Sequence, residues 1–245
     1  MRIVVVGATS EIAQKCCEMW LKEGAKQLVL TGRNPEKLKR IASDLRIRHP
    51  ESDIYEAVFD HLNIKEIKEF ISNESAKAVD IVLIAHGSLT YQAKASVDAE
   101  YLWAELEVNA LSPILFTELW VEALGRQGFG KLAVIGSVAG DRGRAINYGY
   151  GAAKSAIETY AAGLQHRLAF SKVQVSLVKP GPTLTPMTRG VHVGPSKLAD
   201  ARLVASQILD GIERGKRVIY APRVWSLIMF IVRVMPFSIL KQMKF

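Results

Sequence analysis

Short apolar runs alternate with longer amphipathic stretches along the whole chain, and this alternation constrains the fold more than any other feature of the sequence. The apolar runs are rich in β-branched residues and show little polar alternation, which is typical of strands buried on both faces. Successive strands joined by a helix are connected by right-handed crossovers, which makes them parallel. The sequence therefore predicts a doubly wound α/β fold with a seven-stranded parallel sheet and helices on both of its faces.

The predicted elements follow one another without a linker, a repeat or a low-complexity segment. The 245 residues, 49% of them hydrophobic, suffice for one sizeable core, so a single domain is expected. The predicted strands are Ile3–Val6, Gln27–Leu30, Ile54–Val58, Ile81–Ala85, Leu132–Gly136, Val173–Val178 and Val218–Tyr220. The predicted helices lie near Glu11–Glu23, Pro35–Arg48, Ile64–Ser72, Val97–Leu124, Gly151–Ala169 and Lys197–Arg214.

The net charge of +8 is concentrated at the end of the chain. Residues 211–245 hold seven basic side chains and one acidic side chain, and they also contain the densest apolar run, 224–232. This combination favours a lipid surface over the phosphate backbone of a nucleic acid, and no nucleic-acid partner is expected. The run is too short to span a bilayer, which takes roughly 20 apolar residues.

We therefore divide the chain into a main domain, 1–220, and an apolar, basic extension, 221–245. Two roles for the extension stay open at this point. It could be buried against a second subunit, or it could form an interfacial helix that brings the protein to a membrane carrying its substrate.

The two cysteines, Cys16 and Cys17, are adjacent and cannot form a disulfide with each other. The apolar stretch that follows Met1 is too short for a signal peptide. Both features predict a reducing, cytoplasmic location. The five histidines show no ligand spacing, so no metal site is expected.

Three motifs carry the chemistry. The turn that begins at Gly7 after the first predicted strand opens a helix, where backbone N–H groups and the helix dipole could meet an anion, although many such turns need a glycine for geometry alone. Ser137 follows the fifth predicted strand. Tyr150 and Lys154 are four residues apart at the start of a helix, so their side chains share a face.

The order of these motifs resembles the short-chain dehydrogenase/reductase superfamily, and the resemblance covers nearly the whole chain. It implies a Rossmann fold and a NAD(P)-dependent enzyme in which Asn109, Ser137, Tyr150 and Lys154 form the catalytic proton relay. Tyr150 would be the general acid/base, because a carbonyl oxygen that gains negative charge as hydride arrives must be protonated. We expect the ammonium of Lys154 to lower the pKa of the Tyr150 phenol.

The resemblance also implies a nicotinamide cofactor site, in which Glu11 and Ala13 replace two of the usual three glycines. No carboxylate follows the second predicted strand, where NAD-specific sites hold one for the ribose hydroxyls. Arg33 stands there and could pair with a 2′-phosphate, which favours NADP(H) over NAD(H). The implied cofactor-binding residues are Gly7, Thr9, Ser10, Glu11, Ile12, Arg33, Asp60, Ala85, Gly87, Tyr150, Lys154, Pro180, Gly181, Thr183 and Thr185.

After Thr185 the residues from 186 to 195 mix glycine, proline and polar side chains. This composition predicts a mobile substrate lid. Arg189 and His192 could meet an anionic group of the substrate there, or serve no role beyond a surface loop.

The chain is similar to a narrower branch of the family, the reductases of decaprenylphosphoryl-2-keto-pentose, in its Gly-x-Thr-Ser-Glu-Ile turn, its Gly128–Gly130 segment and its apolar, basic end. The likeness implies reduction of a keto-sugar on a polyprenyl phosphate, by an enzyme peripheral to the inner face of the membrane. The alternatives are a soluble ketone or 3-ketoacyl reductase, and a catalytically weak dinucleotide-sensing or scaffolding protein. The family further implies a small-molecule or lipid-linked carbonyl substrate and a homodimer or homotetramer.

Overall fold

The computed structural model of the chain describes residues 1–188 and 198–242 and contains one sheet of seven parallel strands. The strands are β1 (Arg2–Val6), β2 (Gln27–Gly32), β3 (Asp53–Val58), β4 (Ile81–Ile84), β5 (Gly130–Ile135), β6 (Val173–Pro180) and β7 (Val218–Ala221). Their order across the sheet is β3-β2-β1-β4-β5-β6-β7. The predicted doubly wound fold and all seven predicted strands are confirmed.

Helices cover both faces of the sheet. Because side chains alternate along a strand, Ile3 and Val5 of β1 pack into one apolar layer, and Val4 and Val6 pack into the other. The helices are α1 (Glu11–Lys22), α2 (Pro35–Arg48), α3 (Ile64–Glu74), α4 (Gln92–Ala95), α5 (Ala99–Leu106), α6 (Ser112–Gln127), α7 (Tyr148–Arg167), α8 (Ala201–Glu213), α9 (Trp225–Val234) and α10 (Phe237–Leu240). Helices α1, α2 and α8 cover the first layer, and α3, α6 and α7 cover the second.

The helix predicted over Val97–Leu124 is not continuous. A π-helical turn, Glu107–Leu111, separates α5 from α6. Pro113 lies in the first turn of α6 and has no N–H to donate to the preceding turn, which accounts for the irregular hydrogen bonding at this point. The π turn matters for the site because it contains Asn109.

A buried ion cluster joins β6 to the segments beside it. The ammonium of Lys179 donates to Asp141 Oδ1 at 2.5 Å and also to Glu158 of α7. The Lys179 and Asp141 side chains are almost wholly buried, and the Tyr220 hydroxyl donates to the same aspartate at 3.2 Å. Burial acts to lower the pKa of Lys179, but the hydrogen bonds to the two carboxylates outweigh it and the pKa rises. The cation therefore stays charged inside the protein.

The chain leaves the sheet at Ala221 and continues into α9. No helix in the described residues has the length and apolar character needed to cross a membrane. The inner side of α9 packs on Val138, which directly follows Ser137, through Met229 and Val232. The extension is thus in contact with the part of the fold that carries a predicted catalytic residue.

Candidate active site

The predicted site residues converge at the carboxyl ends of the central strands. Strand order runs in one direction from β1 to β3 and in the other from β4 to β7, so the sheet has a switch point between β1 and β4. Ligands of such sheets bind in the crevice outside this point. Gly7 lies at this crevice with a φ of 82°, and a Cβ there would overlap the backbone of His86. Glycine is required because the two strand ends approach each other so closely.

Ser137, Tyr150 and Lys154 meet beside the end of β5. Ser137 is extended, and its Oγ accepts a hydrogen bond from the N–H of Ala139 at 3.1 Å. Tyr150 is in the first turn of α7 and Lys154 follows one turn later, as their spacing predicted. The Lys154 ammonium lies 5.6 Å from the centre of the Tyr150 ring and donates to the Ile135 carbonyl at 3.1 Å.

Burial sets the protonation of the tyrosine and the lysine. It raises the pKa of Tyr150 to about 12, although a hydrogen bond with Ser137 acts to lower it. Burial lowers the pKa of Lys154 to about 8. The prediction that Lys154 lowers the pKa of the phenol is wrong for this structure, because burial raises that pKa and the Lys154 ammonium is directed at the Ile135 carbonyl. The phenol keeps its proton at neutral pH, which is the state that a general acid needs.

Asn109 is fully buried, and its amide is held at both ends. Its Oδ1 accepts from the N–H of Ser88 at 2.9 Å, and its Nδ2 donates to Ser88 Oγ and to Glu105 Oε2, both at 3.1 Å. The same Glu105 oxygen accepts from the hydroxyls of Ser88 and Thr90 at 2.8 and 2.9 Å. A single carboxylate oxygen therefore orients the asparagine and the loop after β4.

Sequence reasoning did not identify Glu105, Ser88 or Thr90. The sequence did contain a signal for Glu105, because this residue precedes Asn109 by four positions and shares its helical face. Nothing in the sequence indicated that the loop after β4 folds back onto that face. In this loop the N–H and the hydroxyl of Ser88 both form hydrogen bonds with Asn109.

Gly87 connects the asparagine to the lysine. A Cβ at this position would lie 3.0 Å from Asn109 Oδ1 and 3.5 Å from Lys154 Nζ. Because Gly87 has no side chain, there is open space between the two polar groups at the switch point. A flat ring can approach the backbone there without displacing either side chain.

The first turn of α1 is left without a side-chain cap. Asn34, Asn63, Asp98 and Asp200 accept hydrogen bonds from the first turns of α2, α3, α5 and α8, whereas Ser10 makes no such bond to α1. The leading N–H groups of a helix have no partner within the helix, so those of α1 can bind an anion at the switch point. The residues predicted to border this anion are Thr9, Ser10, Glu11 and Ile12, which lie in the turn and at the start of α1.

Arg33 is exposed directly after β2, where the sequence offers no carboxylate. Beneath it, Thr31 Oγ1 and His61 Nε2 form a buried hydrogen bond of 2.9 Å. Burial, with the nearby charge of Arg33, lowers the pKa of His61 to about 4, so the imidazole is neutral. Asp60 uses its carboxylate within its own turn, accepting from the N–H of Leu62 at 3.0 Å. Its predicted contact with the cofactor stays a prediction.

The turn after β6 forms the other side of the crevice and is braced internally. Thr183 donates to the Gly181 carbonyl at 2.8 Å, and the Thr188 hydroxyl donates to the Thr183 carbonyl at 2.7 Å. The N–H of Thr185 donates to Thr188 Oγ1 at 3.1 Å. Thr188 is a further residue that sequence reasoning missed. The remaining predicted residues at this edge of the sheet are Ala85, which directly follows β4, and Pro180, the last residue of β6.

The predicted lid extends beyond the residues that the structure describes. Pro186–Thr188 form a short 3₁₀ turn. Arg189 and His192 lie outside the described residues.

The chain belongs to the short-chain dehydrogenase family, whose model matches residues 1–194. It is an NAD(P)-dependent oxidoreductase. An oxidoreductase of Mycobacterium tuberculosis, described as uncharacterized, is 29% identical over 227 residues, which cover 92% of this chain and 89% of the relative. A Streptomyces coelicolor oxidoreductase with the same description is 29% identical over 242 residues, covering 96% of this chain and 92% of the relative.

Solved structures share the fold at low sequence identity. A short-chain dehydrogenase from Burkholderia cenocepacia in complex with NADP has a TM-score of 0.83 and 21% identity, covering 98% of this chain and 96% of that one. A short-chain dehydrogenase from Sphingobium yanoikuyae in complex with NADPH also has a TM-score of 0.83, with 20% identity and coverages of 99% and 96%. These likenesses establish the architecture alone.

The residues of this site fit a nicotinamide dinucleotide. The uncapped first turn of α1 suits its pyrophosphate. The open space at Gly87 suits a flat ring. Besides the N–H bonded to Ile135, Lys154 has further N–H donors that could bind ribose hydroxyls. Arg33 suits a phosphate on the other ribose.

We expect Glu105→Ala to lower kcat about tenfold or more, because three donors lose a charged acceptor and hydrogen bonds to charged groups contribute about 1.5–3 kcal/mol each. Glu105→Gln, which keeps one acceptor oxygen, should recover most of the loss. Turnover is measured as NADPH oxidation with the best substrate from a carbonyl screen, beside the binding constant for NADPH. Glu100→Ala, an exposed glutamate on the same helix, is the matched control. Equal effects of the alanine and glutamine variants would contradict the positioning role.

Proposed function

We propose that the protein is an NADPH-dependent carbonyl reductase in which Tyr150 is the general acid. The observation that carries the proposal is the joint placement of Ser137, Tyr150 and Lys154 at the switch-point crevice, with the phenol protonated at neutral pH. A protonated phenol suits reduction, in which the product oxygen gains a proton. The family membership and the NADP complexes of similar folds support the same class of reaction.

The cofactor, when bound, supplies hydride to the carbonyl carbon. The protein must then stabilise the negative charge that develops on the carbonyl oxygen. Ser137 polarises that oxygen, and the proton leaves the hydroxyl of Tyr150. The ammonium of Lys154, whose pKa of about 8 keeps most of it charged at neutral pH, donates to the Ile135 carbonyl and has further N–H groups that would hold the ribose hydroxyls of the cofactor. Glu105 holds the Asn109 amide beside these groups.

We expect NADPH to bind more tightly than NADH, because Arg33 can form charge-assisted hydrogen bonds with a 2′-phosphate. Arg33→Ala should weaken NADPH binding at least about tenfold, since such bonds contribute about 1.5–3 kcal/mol, and should leave NADH binding nearly unchanged. Titration followed by nicotinamide fluorescence measures both constants. Arg40→Ala, an exposed arginine on α2, is the matched control. Equal affinities of the unmodified chain for both cofactors would overturn the preference.

For the substrate we propose a keto-sugar carried on a polyprenyl phosphate. Support comes from the sequence likeness to that branch and from the apolar extension that packs against Val138, next to Ser137. The alternatives are a simple ketone and a 3-ketoacyl thioester. A screen of the three classes with NADPH decides among them, and faster reduction of simple ketones than of lipid-linked keto-sugars would reject the proposed substrate.

We also propose a cytoplasmic homodimer or homotetramer that self-associates through α6 and α7. The outer face of α7 presents Ala152, Ala156 and Gly163 beside Glu118 and Arg167, which pair at 2.8 Å. Small side chains allow a second helix to approach closely. Sedimentation velocity measures the oligomeric state, and a monomer at micromolar concentration would contradict the proposal.

A further inference from the structure

Eight of the ten residues of helix α9 are apolar, the exceptions being Ser226 and Arg233, and two of its faces have different surroundings. Met229 and Val232 are both buried against Val138. Trp225 and Ile228 are partly buried and pack beside them. The opposite face, which carries Leu227, Phe230, Ile231 and Val234, is between 50% and 66% exposed. The outer face of α9 therefore lacks a cover in the single chain.

The inner face is held firmly on the catalytic domain. The guanidinium of Arg142 donates to the carbonyls of Val232 and Arg233 at 2.9 Å each and to that of Met235 at 2.5 Å, which ties down the end of the helix. At the other end, the indole of Trp225 occupies the space where a Cβ of Gly181 would lie. The helix is thus fixed against the turn after β6, which borders the crevice.

The exposed apolar surface continues beyond α9. Phe237 and Ile239 in α10 are 72% and 52% exposed. Together with the outer face of α9 they form a contiguous stretch of sequence with large apolar side chains in water. Patches of this kind mark sites of interaction with proteins or membranes.

The charge around this surface selects the partner. The described residues 222–242 contain three basic side chains and no acidic one. Arg223 pairs with Asp210 at 2.6 Å, but Arg214 and Lys216 share the same carboxylate, so the neighbourhood keeps a net positive charge. A second copy would bring an identical positive surface against this one. An anionic lipid surface complements both the positive charge and the apolar side chains.

We propose that the outer face of α9, with α10, lies in the interface of an anionic membrane, as the membrane-facing extension of a catalytic domain formed by residues 1–220. The helix is too short to cross the bilayer, so its apolar side chains enter the lipid while its bases stay among the headgroups. Its contacts with Val138 and Gly181 place the crevice close to the lipid surface. The membrane docking does not depend on the proposed reductase function. Only the delivery of a lipid-linked substrate rests on that function.

Flotation of the full chain with vesicles of phosphatidylcholine, with and without phosphatidylglycerol, tests the proposal. We expect flotation with the anionic vesicles and a decline at high salt, which screens surface charge. The double variant Leu227→Glu, Val234→Glu should reduce the bound fraction at least about tenfold, because it places two carboxylates on the lipid-facing side. The control pair Ile47→Glu, Phe170→Glu changes the net charge equally at two apolar residues that are more exposed, outside the extension.

Loss of flotation in the first pair and its retention in the control pair would support the docking. Equal flotation of both pairs, or no flotation of the unmodified chain, would overturn it. A dimer that the first pair dissociates, without lipid binding by the unmodified chain, would assign the face to a second copy and also overturn it. If the glutamate pair melts early, Leu227→Ser, Val234→Ser serves instead. NADPH titration of the same samples tests the reductase site separately, so each proposal can fail alone.

Discussion

Tyr150→Phe is expected to lower kcat about 10²- to 10⁴-fold, the range over which positioned general acids contribute, while NADPH binding stays nearly unchanged. The phenol hydroxyl is the only group that this substitution removes, and the phenyl ring preserves the packing around Lys154. Single-turnover reduction with NADPH in excess measures the chemical step, and fluorescence titration measures cofactor binding.

Tyr148→Phe is the matched control for this experiment. The Tyr148 side chain is 51% exposed and its hydroxyl bonds with Ser96 Oγ at 3.0 Å, away from Ser137. We expect its turnover to change less than about twofold, since it makes no contact in the proposed relay. Retained turnover in Tyr150→Phe would instead favour a dinucleotide-sensing or scaffolding protein, whose output does not depend on proton transfer.

Lys179→Met is expected to lower the free energy of unfolding by about 3–5 kcal/mol, because it leaves the buried Asp141 with only the more distant guanidinium of Arg233, at 3.9 Å, as a cation. The loss should appear as a large fall in the denaturant midpoint with an unchanged slope. Arg142 follows this aspartate and holds the end of α9, so proteolysis of the extension should also accelerate.

The control for the ion cluster is Arg126→Met, which breaks an exposed pair with Glu122 one turn away on α6. Exposed pairs contribute about 0–1 kcal/mol, so this variant should be nearly neutral. A loss below about 1 kcal/mol in Lys179→Met would show that water reaches the cluster and that its charges are not truly buried.

The sequence by itself determined the architecture of this protein. Strands buried on both faces must be apolar throughout, and the runs at β1, β4 and β5 are apolar enough to be recognised without any partner. Local spacing was equally informative at Tyr150 and Lys154, because two residues four apart on a helix share a face whatever surrounds them. The glycine at position 7 was identified for a similar reason, since the turn after β1 needs a positive φ.

Only the tertiary structure decided what surrounds these groups. The pKa of Tyr150 depends on burial and on the direction of the Lys154 ammonium, neither of which follows from spacing along one helix. Glu105 became part of the site because the loop after β4 brings the hydroxyls of Ser88 and Thr90 to the end of α5, 17 and 15 residues later in the chain. The sequence likewise indicated an apolar, basic extension, but only packing showed which face of α9 is buried against Val138 and which is left exposed. Periodicity within a segment is a local property of the chain, whereas desolvation and contact between segments depend on the assembled fold.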